Sequence, residues 1–373
     1  MYSNKHKKIV VKIGTSSLTH ENGKLDIEAI EKLVRQITNI RNAGIDISLV
    51  SSGAVGAGMT RLHLNHRPTS IREKQAVAAV GQGILMHIYE KLFSEYGLSV
   101  AQILLTRDDL SIRKRCVNFI NTMSKLFEYG VVPIINENDT VATEELMLKF
   151  GDNDTLSAMV ASLIGADLLV ILSDIDGLYD KDPHVYDDAR LIPLVENITE
   201  DIQITAGDAV SGYGTGGMRT KLTAARIATA SGVSMIIANS RADMVLSRIV
   251  SGESIGTFFK PSAHKLNSKG IWLAFGSLSS GKIFIDEGAK DAIINNGKSL
   301  LACGIKYVEG DFDAGDTVTV YDEQGREVAR GIVNFSACDV KKIMGCSSEK
   351  IEEILGSKSC DEVIHRDNMV KTC

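Results

Sequence analysis

The sequence predicts an α/β fold, an open and mainly parallel sheet sandwiched by helices, followed by a small, mainly β module. Three observations carry that expectation. Apolar runs alternate with amphipathic stretches over roughly the first 250 residues, which is a βαβ rhythm. Glycine is plentiful at 33 residues while aromatics make up only 5%, a balance suited to many tight strand-to-helix turns rather than to a β-sandwich. Beyond residue 260 the rhythm gives way to short strands and hairpin turns. At 373 residues the chain is long enough for two cores.

The elements follow in order. Residues 9–13 are a strand, and Asp26 then caps a helix whose Ile27, Ile30, Leu33, Val34, Ile37 and Ile40 fall at helical spacing. Residues 47–50 are the next strand. Ser70 and Glu73 form a capping box ahead of a long helix through Ala76, Val80, Ile84, Ile88 and Leu92. Strands at 100–105, 131–135, 168–172 and 233–238 alternate with helices at 111–127, 152–164, 218–231 and 242–249. Residues 260–270 carry Pro, Ser, Asn, Lys and Gly with little apolar content and read as a linker. The expected organisation is a first domain over 1–259, a linker over 260–278, a β module over 279–357 and a C-terminal tail over 358–373. Within the module, strands are expected at 282–285, 305–308, 317–321 and 327–333, with Asp322-Glu323-Gln324-Gly325 turning between the last two. Two short helices, near 339–344 and 348–355, close it.

Charge and cysteines narrow the function classes. Net charge is −6, and residues 280–373 hold 12 Lys and Arg against 17 Asp and Glu, an acidic balance that disfavours a nucleic-acid partner for that part. The six cysteines, Cys116, Cys303, Cys338, Cys346, Cys360 and Cys373, show no Cys-x-x-Cys pair and no His partner at metal spacing, so reduced thiols are expected. The polar, basic start and the absence of any run approaching a membrane span point to a cytoplasmic protein.

Four motifs carry chemistry. Val10-Val11-Lys12-Ile13-Gly14-Thr15-Ser16 places a lysine inside an apolar strand, which is costly unless the charge has a partner; a phosphate fits, with Gly14 letting backbone N–H groups come close. An edge-strand lysine facing water is the alternative. Ser51-Ser52-Gly53-Ala54-Val55-Gly56-Ala57-Gly58 is a glycine-rich helix start, which suits an anion or close packing. Asn136-Glu137-Asn138-Asp139 closes a strand and Gly151-Asp152-Asn153-Asp154 opens a helix, with Glu144 and Glu145 between them. Carboxylates and carboxamides at the carboxyl edge of a parallel sheet suit a zwitterionic or metal-bearing ligand; turn and cap chemistry uses the same residues. Tyr213-Gly214-Thr215-Gly216-Gly217-Met218-Arg219-Thr220-Lys221 runs a glycine loop into a helix with a lysine in its first turn. A dinucleotide fold is rejected, since no strand precedes Gly212, Gly214 and Gly217 and no acid follows at the required distance. A Walker A loop is absent, because Gly297-Lys298-Ser299 has Ala292 where the first glycine belongs. Two separated lysines, glycine turns and an acidic cluster describe a phosphoryl transferase of another design.

On Val-Lys-Ile-Gly-Thr-Ser, Ser-Ser-Gly-Ala-Val-Gly-Ala-Gly, Asn-Glu-Asn-Asp, Gly-Asp-Asn-Asp, Ser-Asp-Ile-Asp-Gly-Leu-Tyr and Gly-Thr-Gly-Gly-Met-Arg-Thr-Lys, the chain resembles the amino acid kinase family over nearly its whole length. The C-terminal module resembles a PUA domain. The two acid-amide motifs together with that module resemble the subgroup acting on glutamate. The resemblance implies ATP-dependent phosphorylation of the γ-carboxylate of L-glutamate to γ-glutamyl phosphate, the first step of proline biosynthesis. It implies Lys12, Lys221 and Asp154 as catalytic residues, with Asp154 aligning the lysines, and Ser52, Asp139 and Asn153 as substrate contacts. Ser52 and the Asn153 amide are expected to donate to a substrate carboxylate, and Asp139 to accept from the ammonium. Lys12, Ser173, Asp174, Thr215, Gly216, Gly217, Met218, Arg219, Thr220 and Lys221 are implied on the nucleotide side. Magnesium is expected to arrive with ATP, without an all-protein metal cage. Proline as feedback inhibitor, a homo-oligomer (dimer or tetramer) and functional coupling to γ-glutamyl phosphate reductase are implied in the same way.

Residues 179–183 read equally as a nucleotide-side loop and as turn capping. Two rivals stand beside the main reading. One is another kinase of the family, acting on acetylglutamate, aspartate, carbamate or a nucleoside monophosphate. The other is an RNA-binding role through the PUA module, for which Lys341, Lys342 and Lys350 offer a small patch.

Overall fold

The protein is described from a computed structural model, which covers residues 6–20, 23–64, 66–142, 153–183, 185–199, 202, 217–263, 265–357 and 360–372. The chain divides into two compact units, Met1–Leu110 with Lys114–Leu266, and Ser111–Arg113 with Asn267–Cys373.

The first unit is organised around β1 (Lys8–Ile13), five of whose six residues are buried. Short α1 (Thr15–Leu18) follows it directly, and α2 (Ile27–Asn42) begins where the Asp26 carboxylate accepts from Ala29 N at 3.0 Å. Then come β2 (Asp46–Ser51), α3 (Ala54–Arg61) and α4 (Ile71–Glu95), the last opened by the expected Ser70/Glu73 capping box. Next in the chain are β3 (Val100–Leu105), α5 (Arg107–Ser111), α6 (Arg113–Glu128), β4 (Val132–Glu137), α7 (Asn153–Leu163) and β5 (Leu168–Ser173). The unit closes with β6 (Leu194–Val195), α8 (Met218–Ala230), β7 (Ser234–Asn239), α9 (Val245–Val250) and β8 (Thr257–Phe259). The helix expected over 111–127 is α6, and a separate short α5 precedes it, the two divided at Ile112.

Strand order is β3-β4-β2-β1-β5-β7-β8-β6. Every pairing from β3 to β7 is parallel; β8 runs antiparallel to β7 and pairs parallel with β6. The order reverses direction beside β1, which makes the carboxyl ends of β1, β2, β4 and β5 the crevice where such sheets take ligands. Strand alternation divides the two faces. Ile9, Val11 and Ile13 join Ile47, Leu49, Val132, Ile134, Leu168, Val170 and Leu172 in a core with α2, α4 and α9. Val10 and Lys12 therefore point to the other face, against which α7 and α8 pack.

Helix α4 buries a different face from the one its strongest apolar residues suggest. Val77, Gly81, Leu85, Tyr89 and Phe93 are inside, while Val80 is 39% exposed. Both sets recur every four residues, so spacing alone cannot separate them. Backbone proximity decides: a Cβ at Gly81 would stand 1.7 Å from Ala54 O, and one at Gly58 2.0 Å from Val77 O. The helices α3 and α4 thus touch at glycines, and only the glycine face of α4 allows it.

In the second unit a sheet ordered β11-β9-β12-β13-β15 is built from β9 (Gly281–Ile285), β11 (Ile305–Gly310), β12 (Thr317–Tyr321), β13 (Glu327–Ile332) and β15 (Met369–Lys371). A small pair joins β10 (Leu300–Leu301) to β14 (Glu362–Ile364). The turn at Asp322 is closed by its carboxylate, which accepts from Gln324 N at 3.0 Å and Arg326 N at 2.9 Å.

Two boundaries differ from expectation. The segment read as a linker over 260–278 contains the division between units, at Leu266/Asn267. It is not loose on either side. Lys260, Ser262 and Leu266 donate backbone N–H groups to Val195, Thr229 and Ala230, and residues 268–276 are helical. The stretch read as a tail over 358–373 supplies β14 and β15, both paired into the module. Among the described residues no cysteine is in a disulfide, and no helix is long and apolar enough to cross a membrane.

Candidate active site

Lys12, the penultimate residue of β1, lies on the face that α7 and α8 cover, and it is only 4% exposed. Its partner is Asp154 in the first turn of α7, a carboxylate with no exposure at all. Lys12 Nζ lies 2.6 Å from Asp154 Oδ1, and Lys221 Nζ, from the first turn of α8, lies 3.2 Å from Oδ2. Thr220 Oγ1 donates to the same Oδ2 at 2.9 Å. One buried carboxylate therefore holds two ammonium groups drawn from opposite sides. The trio carries a net positive charge, which suits an anionic ligand passing between the lysines. Gly14 lies under this arrangement, with Lys12 Nζ 3.6 Å from where its Cβ would be.

Beside Asp154, Asn153 joins a second group. Its Nδ2 donates to Ser52 Oγ at 2.8 Å and to Asn136 Oδ1 at 2.9 Å. Asn136, 4% exposed at the end of β4, also accepts from Glu137 N at 2.9 Å and donates its own Nδ2 to Gln82 Oε1 on α4 at 2.9 Å. Ser52 follows β2 at a turn where Gly53 has φ +106°, a left-handed conformation that favours glycine. The preceding Ser51 hydroxyl is 2.8 Å from the hydroxyl of fully buried Tyr89, whose titration burial pushes well upward. Since both Nδ2 hydrogens of Asn153 are committed, its carbonyl oxygen is the side-chain atom left to meet a ligand. In this arrangement the Asn153 amide, expected to donate to a substrate carboxylate, donates within the protein instead.

Asp139 and Glu137 are half-buried, and neither carboxylate has a hydrogen-bond or ion-pair partner among the described residues. Loss of solvent raises Asp139 to about 6. Loss of solvent, then the neighbouring Asp139 charge, raises Glu137 to about 7. Two desolvated carboxyls with no cation partner among the described residues are suited to a cationic ligand.

On the other side of β1, Ser173 is buried at the end of β5 and its hydroxyl donates to exposed Asp174 at 3.1 Å. Nearby, Asn239 donates to Asp176 at 2.8 Å. Gly217 caps α8, with half-buried Met218 and exposed Arg219 in its first turn. Thr215, Gly216, Asp152, Glu144 and Glu145 lie outside the described residues. The 179–183 segment is held by its own bonds, with Asp180 Oδ1 accepting from Arg190 N at 2.8 Å and Lys181 paired to Asp188 at 2.5 Å. Among the described residues no three His, Cys, Asp or Glu side chains stand close enough together to hold a metal ion.

The structure thus gathers Lys12, Asp154, Thr220 and Lys221 into one cluster and Ser52 and Asn153 into an adjoining one. Sequence reasoning missed Gln82 and the linking role of Asn136. The sequence signal available was an amide in the helix packed over the strand ends, which nothing in hydropathy marks.

The amino acid kinase family profile matches residues 7–239 and the PUA domain profile residues 281–355. A glutamate 5-kinase of Caldanaerobacter subterraneus subsp. tengcongensis is 57% identical over 363 residues, 97% of each chain. Those of Carboxydothermus hydrogenoformans and Nostoc punctiforme are each 52% identical, covering 98% of this chain and 97% and 99% of theirs. With its lysine pair on a buried aspartate and a family match over more than half its length, the chain belongs to the amino acid kinase family.

Proposed function

We propose that the chain transfers the γ-phosphoryl group of ATP to the γ-carboxylate of L-glutamate, giving γ-glutamyl phosphate and ADP, the step that opens proline biosynthesis. The observation that carries this reading is the buried Lys12–Asp154–Lys221 arrangement, with oxygen–nitrogen distances of 2.6 and 3.2 Å. A carboxylate oxygen attacks the γ-phosphorus while the bond to the β–γ bridging oxygen breaks, and that oxygen leaves with ADP. The acceptor is already an anion at neutral pH, so no general base is required. The demand is instead for charge neutralisation and alignment. Lys12 and Lys221 supply the first, and Asp154 fixes the second by holding both ammonium groups from one rigid carboxylate.

Ser52, Asn153 and Asp139 hold the amino acid: the Ser52 hydroxyl donates to a carboxylate, and Asp139 and the Asn153 carbonyl accept from the ammonium. Ser173, Asp174 and the segment 215–221 serve the nucleotide side. Magnesium arriving with ATP would supply charge neutralisation on the phosphates beside Lys12 and Lys221. Proline carries the same α-carboxylate and a ring ammonium, so these groups bind it as a competitor, which makes it the feedback inhibitor. The acyl phosphate product is prone to hydrolysis, which favours coupling to the reductase that consumes it. A cytoplasmic homo-oligomer, dimer or tetramer, completes the reading.

Identity to glutamate 5-kinases at 50–57% over nearly the full chain supports glutamate over the other acceptors used in the family. An ADP-release assay across glutamate, N-acetylglutamate, aspartate, carbamate and UMP tests this. Glutamate is expected to give the highest kcat/KM. Aspartate, one methylene shorter, is expected to react poorly rather than not at all, since a methylene is worth only about 1–3 kcal/mol to a pocket. A preference for N-acetylglutamate or UMP would overturn the assignment.

A further inference from the structure

Glu137 N–H is a backbone group and can only donate, so the Asn136 atom 2.9 Å from it must be the carbonyl Oδ1. That single constraint orients everything attached to it. The Asn153 atom 2.9 Å from Asn136 Oδ1 must then be Nδ2, and the Gln82 atom 2.9 Å from Asn136 Nδ2 must be the carbonyl Oε1. Asn153 Nδ2 spends its second hydrogen on Ser52 Oγ at 2.8 Å. Ser52 is left with its hydroxyl proton to give, and Asn153 with its Oδ1 to receive. The chain runs from α4 across the end of β4 to α7 and the β2 turn, entirely within the first unit.

We infer that Gln82 is a positioning residue for the amino acid: by anchoring Asn136 it sets Asn153 to present a carbonyl to the substrate ammonium and Ser52 to present a proton to a substrate carboxylate. The inference deepens the glutamate reading above and rests on it. Asn136 is 4% exposed, so water cannot readily replace the Gln82 acceptor. Without it, one Asn136 hydrogen is stranded and the carboxamide is held from one side only. Flipping offers no relief, because it would set Asn136 Nδ2 against the Glu137 N–H. Gln82 itself is half-buried on a helix and its side chain accepts from Asn136, on the amino-acid side of the site, so its loss is expected to act on the amino acid more than on ATP.

The test compares Gln82→Met, which keeps the shape and removes the acceptor, with Gln82→Glu, which keeps an acceptor. Steady-state kinetics are measured with glutamate, with glutarate, which lacks the ammonium, and with ATP varied. For Gln82→Met, the glutamate KM is expected to rise about tenfold and the glutamate-over-glutarate ratio of kcat/KM to fall by about the same factor. The ATP KM is expected to stay within about twofold. Gln82→Glu is expected to retain the wild-type ratio. A merely structural role would instead raise both KM values together and lower the melting temperature without touching the ratio, and that result overturns the inference. An unchanged glutamate KM and ratio in Gln82→Met, with wild-type protein turning over glutamate, overturns it alone. Wild-type protein that does not turn over glutamate overturns the functional reading and this inference with it.

Discussion

At the scale of single residues, the central feature is a carboxylate, Asp154, that is fully buried yet answered by two lysines and a threonine hydroxyl. Burying charge this deeply is costly without partners, so each lysine is held in place by the electrostatics that would punish its absence. On the proposed reading, replacing Lys12 or Lys221 by Ala removes one neutralising group from the transferred phosphoryl. A loss of about 3 to 4 kcal/mol of transition-state stabilisation is expected, seen as a fall in kcat of about 100- to 1,000-fold. Asp154 keeps one lysine in either variant, so the fold is expected to survive, and circular dichroism checks that separately. The lysine was legible in the sequence because an ammonium inside an apolar strand demands a partner. The amide chain through Asn136 and Gln82 was not, because carboxamides bonded to one another leave no mark in hydropathy or charge. Asp139 and Glu137, raised to about 6 and about 7, give a second expectation. Between the ordinary carboxylate range and those raised values the fold holds protons that the unfolded chain has already released, so their contribution to stability is present in acid and is lost as pH rises through those values. A substrate ammonium needs the ionised forms. The glutamate KM is therefore expected to fall as pH rises from about 5.5 to about 8, while the ATP KM does not follow it. In Asp139→Asn the profile is expected to flatten, and a pH-independent glutamate KM in the wild type would contradict the account.

At the scale of elements, glycines decide how α3 and α4 meet. The run at 51–58 suggested an anion site, and part of it is a turn: Gly53, at φ +106°, lets the chain deliver Ser52. Gly58, however, serves packing, since its Cβ would lie 2.0 Å from a backbone carbonyl of α4. Gly81 is the reciprocal contact at 1.7 Å. Because Gln82 follows Gly81 in sequence, this contact also places the amide that reaches Asn136. Gly81→Ala is expected to push the helices apart at a cost of about 1–3 kcal/mol, lowering the melting temperature by several degrees and raising the glutamate KM. Gly83, two residues on, has nothing within 4 Å of its would-be Cβ, and Gly83→Ala is expected to stabilise by up to about 1 kcal/mol. Equal effects of the two substitutions in a thermal melt would refute the packing argument. The buried face of α4 was not legible in the sequence for the same reason. Glycine and a hydrogen-bonded tyrosine, Tyr89, lie inside, while Val80 on the next register is exposed.

At the scale of the whole molecule, every described member of the site falls in the first unit, and the second is a separate β module with its own core. The two-part organisation was legible because the helical rhythm stops, whereas β14 and β15 were not, being three-residue strands too short to show alternation. A chain ending at Leu266 is expected to keep glutamate-dependent ADP release within about tenfold of the full chain. The acidic balance of residues 280–373, 12 basic against 17 acidic side chains, leads to the expectation that this part is not retained on RNA at physiological salt. The most direct test of the central claim asks for the product of the lysine-flanked transfer. Purified protein is incubated with glutamate, ATP, magnesium and hydroxylamine, which traps an acyl phosphate as its hydroxamate. The account expects γ-glutamyl hydroxamate to form in step with ADP in the wild type, and to fall at least about 100-fold in Lys12→Ala and Lys221→Ala. Hydroxamate formed at near wild-type rates by either variant, or ADP released without hydroxamate in the wild type, would contradict it.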